Sequence, residues 1–427
     1  MTHQTNTAAT KDEAKPALVP KLRFPEFRGV GWWEERPLSE FLSESRMTGS
    51  KGNVAKKITV KLWGKGVFEK NDAIQGSINT QYFRRKAGQF IYSKLDFLNQ
   101  AFGIIPPSLD NFESTVDLPC FDFADGLSPV FLLEYVKRSE FYERLGETAD
   151  GSRKARRIHA ETFLSFQIAI PIPAEQQKIA DCLSSVDELI AAQARKVEAL
   201  KTHKKGLMQQ LFPREGETQP RLRFPEFETA TAWVPKKLES LAKRGSGHTP
   251  SKSKPEYYEG DIKWISLADS KRLDAGLIFE TATAISAQGI KNSSAVLHPA
   301  GTVLISRDAG VGKSAVMASP MAVSQHFIVW TCHDHLLSNW FLYYVLQEMK
   351  PIFERNATGS TIKTIGLPFF KDLQIAVPSV PEQKRIADCL TSLDTLIAAA
   401  TQQLETLKTH KKALMQQLFP SQESLAL

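Results

Sequence analysis

Apolar side chains recur at alternating steps of four and three along one stretch of the chain: Ile179, Leu183, Val186, Ile190, Val197, Leu200, Leu207 and Leu211, with Gln193 and Lys204 at the two polar steps. The same rhythm returns at Ile386, Leu390, Leu393, Ile397, Leu404, Leu407, Leu414 and Leu418, with Ala400 and Lys411 in the corresponding gaps. This 3.5-residue period predicts two helices, each burying a narrow seam against a partner helix. Pro173 and Pro381 suit first-turn positions, Glu175 and Glu382 lie near the positive helix ends, and Pro213 and Pro420 stop the helices. Each is expected to run for about 38 residues, roughly 57 Å.

The two stretches are copies. EQQKIADCLSSVDELIAA (175–192) matches EQKRIADCLTSLDTLIAA (382–399), and KTHKKGLMQQLFP (201–213) matches KTHKKALMQQLFP (408–420), both at an offset of 207. LRFPEF occurs at 22–27 and again at 222–227, offset by 200, and Trp33 and Leu38 recur as Trp233 and Leu238. A period this long means two whole modules rather than a solenoid. Connectivity then sets direction. The second module lies between the end of the first helix and the start of the second, so helices that pair along their length must be antiparallel. The expected architecture is a dumbbell with a rough two-fold axis.

Between the repeats the sequences diverge. AGQFIYSKLD (87–96) still aligns with AGTVLISRDA (300–309), each a buried strand ending in serine and a cation. DGSRKARRI (150–158) aligns with TGSTIKTI (358–365), each a Gly-Ser loop shortly before a strand, 166–170 or 373–377, that leads into the long helix. With short helices such as 338–349, each head reads as a small α/β domain with a mixed or antiparallel sheet. The expected fold class is therefore α+β: two small α/β domains joined by two long antiparallel coiled-coil helices. The expected boundaries are a disordered tail at 1–17, a first head at 18–172, a first spacer helix at 173–213, a linker and second head at 214–379, a second spacer helix at 380–420 and a tail at 421–427.

Composition narrows the function classes. The 427 residues carry a net charge of +7, an excess that favours an acidic partner such as nucleic acid without requiring one. The four cysteines form no C-x-x-C pair, which argues against a disulfide framework or zinc site and fits a reducing cytoplasm. No apolar run is long enough to span a membrane. DAGVGKS (308–314) lacks the first glycine of a phosphate loop, since Arg307 stands there. Its two remaining readings are a plain turn, or a loop whose amides and Lys313 approach a DNA phosphate. His203 and His410 fall among lysines on a helix face, and no methyltransferase motif or Ser-His-Asp set is defensible, so no catalytic or metal-binding residue is assigned. Two related frames with different loops on one spacer suit a split target, because major-groove features on one face of B-DNA recur about every 34 Å.

LRFPEF near the start of each half, P-x-x-E-Q followed by IADCL opening each helix, and KTHKK-(G/A)-LMQQLF closing it together resemble the specificity subunit of type I restriction–modification systems. The resemblance covers about 18–420. It implies two target recognition domains that each read one half of a split DNA sequence, on a spacer that docks two modification subunits and the restriction/translocase subunits. It implies a cytoplasmic, non-catalytic chain without cofactor, with S-adenosylmethionine, ATP and Mg belonging to partner subunits.

Candidate double-stranded DNA contacts are cations for phosphates and polar groups for base edges. In the first head they are Lys56, Lys57, Lys61, Arg84, Arg85, Lys94, Arg153, Lys154, Arg156 and Arg157. In the second they are Thr249, Ser251, Lys252, Lys263, Ser306, Arg307, Lys313, Gln325, His326 and Lys363; GSGHTPSKSKPEYY (245–258) resembles a recognition loop of the family. LRFPEF reads either as an apolar anchor of each head on the spacer or as a contact for a modification subunit. Lys204 and Lys411, at seam positions, are expected to fix register. The alternative to a DNA reader is a coiled-coil adaptor whose heads bind proteins; a third reading is an enzyme with nucleotide or methyl-donor chemistry in one head.

Overall fold

The computed structural model describes residues 18–71, 76–147 and 157–420. Two helices dominate, Pro173–Leu211 and Val380–Leu418, each of 39 residues. All sixteen apolar seam positions named above are buried or half-buried; Ile179, Leu183, Leu211, Ile386, Leu390 and Leu418 are at most 2% exposed. The chain divides into two compact units that do not break at the helix ends. One runs to Ala194 and resumes from Gln403; the other is Arg195–Gln402. Each unit thus contains a head, the first half of one long helix and the second half of the other.

In the first unit, Glu34–Pro37 pairs antiparallel with Gln167–Ile170, the strand that leads into the first long helix. A four-stranded antiparallel sheet runs in the order Leu42–Glu44, Cys120–Phe123, Phe90–Tyr92, Phe102–Ile104. Aromatic residues from its strands and nearby helices, including Phe90, Tyr92, Phe97, Phe121 and Phe163, form the core. Thr48–Lys51, Gln81–Arg84 and Glu113–Ser114 form a smaller sheet, and Ile58–Lys61 with Gly66–Glu69 forms a hairpin.

The second unit repeats the entry pair as Val234–Lys237 with Gln374–Val377. Its main sheet has five strands, in the order Ala242–Ser246, Phe327–Cys332, Val303–Ser306, Ser314–Met317, Leu277–Ile278, and the last pairing is parallel. The strand expected around 300–306 is thus the centre of a mixed sheet, completely buried. Thr283–Ile285, Ile262–Ile265 and Ala322–Val323 make a second, three-stranded sheet.

The duplicated motifs converge inside each unit. In the first, Arg23 of LRFPEF donates two hydrogen bonds to Glu175, at 2.8 and 2.7 Å, and Trp33 Nε1 donates to the same carboxylate at 3.3 Å. Leu22 N bonds to Gln417 O in the last turn of the second helix, and Trp33 packs edge-on against Phe419. The second unit repeats this with Arg223 on Glu382 (2.8 and 2.6 Å), Trp233 on Glu382 (3.2 Å), Leu222 N on Gln210 O, and Trp233 beside Phe212. Both carboxylates are 1% exposed. The adjacent glutamines, Gln176 and Gln383, each bridge backbone groups of the head to the residues before the helix. LRFPEF is therefore an anchor, and it is polar as well as apolar: Phe24 and Phe224 pack against the cores while the arginines hold the carboxylates. Leu22 and Leu222 remain 39% and 42% exposed, while the arginine side chain is largely covered against the helix start. A carboxylate removed from water needs charge-assisted donors, and only arginine supplies two in a fork.

The two seam lysines also lie where pairing of the helices places them. Lys411 meets Asp187 at 2.7 Å and Glu134 at 2.9 Å in the first unit, and Lys204 meets Asp394 at 2.5 Å in the second. Asp187 and Asp394, like Lys204 and Lys411, are 207 residues apart, so each unit sets the same antiparallel register. The third partner differs. Glu134 completes the first cluster, whereas Tyr344 donates to Asp394 at 2.7 Å and lies under Lys204 in the second. Burial alone would push the Glu134 carboxyl up, but Lys137 and Lys411 outweigh it and hold the group below its ordinary 4.5.

Removing one partner of a buried pair leaves the other uncompensated, so Arg223→Ala should destabilise the second unit by about 3–5 kcal/mol, measured by urea unfolding of the full chain. Arg223→Ala combined with Glu382→Gln should recover part of that loss; equal losses in the single and double variants would deny the ion pair its role. Glu134 has a depressed pKa in the fold, so it contributes stability above about pH 4.5, and this is lost as pH falls toward the lower folded value. Glu134→Gln should flatten the acid limb of the stability profile, read by thermal melts between pH 3 and 6.

Candidate nucleic-acid interface

The second head carries a polar cleft. Its floor is set by a close backbone crossing: a Cβ on Gly247 would lie 1.7 Å from Val323 O, so only glycine lets the strand ending at Ser246 pass. His248 N bonds to that same carbonyl, and Trp264 Nε1 donates to His248 O at 3.1 Å. Tyr258, edge-on to Trp264, donates to Pro250 O at 2.6 Å. The polar loop after Gly247 is thereby pinned along a cleft of about 600 Å³ lined by Thr249, Lys252, Tyr258, Trp264, Ser324, Gln325 and His326 among others.

Four of the sequence candidates thus come together: Thr249, Lys252, Gln325 and His326. Thr249 Oγ1 donates to Gln325 Oε1 at 2.5 Å. His326 Nδ1 lies 2.7 Å from Asp308 Oδ2. Arg307 N donates to His326 O, which brings the 306–308 loop alongside. Ser251 is exposed and bonds to Ser253. Ser306 is 2% exposed with its hydroxyl on Asp308 O, so it shapes the loop and presents nothing to solvent. Lys263 is occupied away from the cleft by Phe279 O and Glu280.

DAGVGKS connects strands Val303–Ser306 and Ser314–Met317, so it is a hairpin loop with no helix behind it, and Gly310 and Gly312 take positive φ values of 99° and 85°. Lys313 is bonded to Ser270 O and Asp274. The segment is thus a hairpin turn whose lysine is held by its own head. Lys363 is exposed and lines a smaller depression, of about 480 Å³, with Lys313 and Lys350.

In the first head, Lys56 and Arg84 are exposed on neighbouring segments: Glu113 lies opposite Arg84 in the sheet, and its N–H donates to Lys56 O. Lys61 is exposed on the hairpin, 4.2 Å over the Phe68 ring. Lys94 and Arg157 are neighbours through Ile158 N and Lys94 O, and Arg157 lies 3.8 Å from Asp117. Two expectations need correction. Arg85 is 2% exposed, and its guanidinium donates to Ser114 Oγ, Ser45 O and Leu118 O; burial lowers its pKa. Lys57 is 8% exposed, with its ammonium near the Tyr82 ring. Both cations support the fold from within, because the strands around them leave carbonyls and a ring to be satisfied. Arg153, Lys154 and Arg156 lie outside the described residues, as do the tails 1–17 and 421–427.

Asp308, which orients His326, and the buried Ser324 beside it carry no signal in the sequence that sets them apart. Among the described residues no cluster of side chains could hold a metal, no cysteine is paired, and no helix is long and apolar enough to cross a membrane.

The family described as "Type I restriction modification DNA specificity domain" matches residues 143–202 and 231–409, more than half of the chain. The chain belongs to this family. The MjaIX specificity subunit of Methanocaldococcus jannaschii is 30% identical over 178 residues, 41% of each chain. The EcoR124I/EcoR124II specificity subunit of Escherichia coli is 28% identical over 273 residues, 60% of this chain and 62% of that one. The alignments to the first curated relatives span less than two thirds of their lengths. The fold extends further: the type I restriction–modification S subunit from M. genitalium superposes with a TM-score of 0.57 over 95% of this chain and all of that one, at 14% identity. A chain from a structure titled for complex assembly of the type I R-M system gives 0.57 over 91% and 98%, at 17% identity.

Because Arg85 satisfies two carbonyls and a hydroxyl from inside, Arg85→Ala should cost at least about 2 kcal/mol in urea unfolding, while Lys86→Ala, at an exposed site, should stay within about 0.5 kcal/mol. Equal effects would reject the structural role of Arg85.

Proposed function

We propose that this chain is the non-catalytic reader of a split double-stranded DNA target, each head taking one half, and the scaffold on which modification and restriction subunits assemble in the cytoplasm. The observation that carries the reading is the contrast between frame and filling. Both heads are held by the same Arg–Glu–Trp clamp, yet their polar surfaces share almost nothing. A duplicated frame with divergent loops is what recognition of two unlike half-sites requires.

Methyl transfer from S-adenosylmethionine and ATP- and Mg-dependent work belong, in this reading, to the partner subunits. The long helices support two equivalent docking positions: Lys201, His203 and Lys205 recur as Lys408, His410 and Lys412, all exposed, so their repetition is not explained by packing. Lys56, Lys61, Arg84, Lys94 and Arg157 in the first head, with any contribution from Arg153, Lys154 and Arg156, are the proposed phosphate contacts. Thr249, Ser251, Lys252, Arg307, Gln325, His326 and Lys363 are the proposed contacts of the second.

The test is binding of the full chain with its modification subunits to split-site and random duplexes across a salt series. Log affinity should fall linearly with log salt, and Lys56→Ala, Lys61→Ala and Arg84→Ala combined should reduce the slope by about 2–3. Exchanging residues 228–372 for another such head should change one half of the methylated sequence and leave the other intact. Absence of DNA affinity in the assembled complex would reject the reading in favour of a protein-binding adaptor, and a change in both halves would reject independent reading by the two heads.

A further inference from the structure

Resting on that reading, we infer that Gln325 and His326 are the base-reading pair of the second head, and that they recognise a base edge presenting an acceptor beside a donor, the major-groove pattern of adenine N7 and N6–H. Three features of the cleft lead there. The Gln325 side chain is exposed and its Oε1 accepts from Thr249, so the amide NH₂ is the end left for a ligand, and it makes no hydrogen bond among the described residues. His326 is half-buried with Nδ1 on Asp308 Oδ2. With Asp308 as the acceptor, Nδ1 is the donor, and in this Nδ1–H tautomer Nε2 is left as the acceptor that a ligand meets. One residue supplies a donor and its chain neighbour an acceptor, both positioned by partners of their own, as a base reader must be.

The surroundings fit a polar ligand. Ser324 lines the same cleft, is 1% exposed, and its hydroxyl has no hydrogen-bond partner among the described residues. A hydroxyl buried without a partner is costly unless a ligand or water completes it. Trp264 and Tyr258 hold the opposite wall by hydrogen bonds to backbone carbonyls, which keeps the cleft open at the loop that carries Thr249. Lys252 is exposed on that loop and suits a flanking phosphate. Guanine, which presents two acceptors on this edge, would place one of them against His326 Nε2; thymine offers one acceptor and a methyl group.

The test uses the full chain co-expressed with its modification subunits, with a methylation map of the host DNA and binding to duplexes varied one pair at a time. Gln325→Ala and His326→Ala should each relax the same A·T pair in one half-site by about tenfold or more, leaving the other half and the salt slope unchanged. Gln325→Glu, which offers acceptors only, should move the preference at that pair away from adenine with the melting temperature retained, so that a folding defect cannot imitate the result. An unchanged motif, or a uniform loss across sequences with a slope reduced by about one, would overturn the inference and assign the pair to packing or to phosphate. Both of those results leave a split motif for the unaltered chain and so spare the preceding reading; an unaltered chain with no split motif would overturn both.

Discussion

A buried carboxylate at the start of each long helix is the constraint around which this protein is organised. Glu175 and Glu382 are removed from water, and each is made tolerable by the two-pronged arginine and the tryptophan N–H that reach it from LRFPEF and the residues just beyond. A glutamate in a first helical turn also faces the unpaired amides and positive end of that helix. The same tryptophan packs on the phenylalanine that ends the other long helix, Phe419 or Phe212. One cluster in each unit therefore joins three stretches of sequence that are far apart in the chain, and it explains why three motifs, not one, are duplicated.

Duplication preserved this clamp and the lysine–aspartate pair of the seam while leaving their surroundings free. Lys411 with Asp187 and Lys204 with Asp394 are the same interaction, yet one is completed by a carboxylate and the other by a tyrosine hydroxyl and ring. Either solution satisfies a half-buried ammonium. The sheets diverged further: the first head has only an isolated parallel bridge, Lys57 with Glu113, beside its antiparallel strands, whereas the second has parallel strand pairings at Leu277–Ile278 and Ala322–Val323. The frame fixes where each head attaches, and the loops are then free to differ.

The cleft of the second head shows what that freedom permits. Gly247 lets two backbones cross closely, the loop beyond it is tied down by Trp264 and Tyr258, and Gln325 and His326 are presented with their inner atoms already engaged. Rigid presentation matters more than charge here. Lys263 and Lys313, equally attractive as cations, are tied to Glu280 and Asp274.

The two helices, their 39-residue extent within a residue or two, their antiparallel sense and the duplication were legible in the residues alone, because a seam of apolar residues at a 3.5 period and close repeats are properties of spacing. So were strands 167–170, 303–306 and 374–377. Which polar residues face outward was not legible there, because that depends on which carbonyls and rings happen to lie nearby after folding. Arg84 and Arg85 are identical neighbours in the sequence, yet one is exposed and the other is consumed inside the fold; Arg23 looked incidental within an apolar motif and is its working residue. These roles emerge only on folding, since the partners that set them, Ser45, Ser114, Glu175 and Asp308 among them, come from segments that local pattern does not connect.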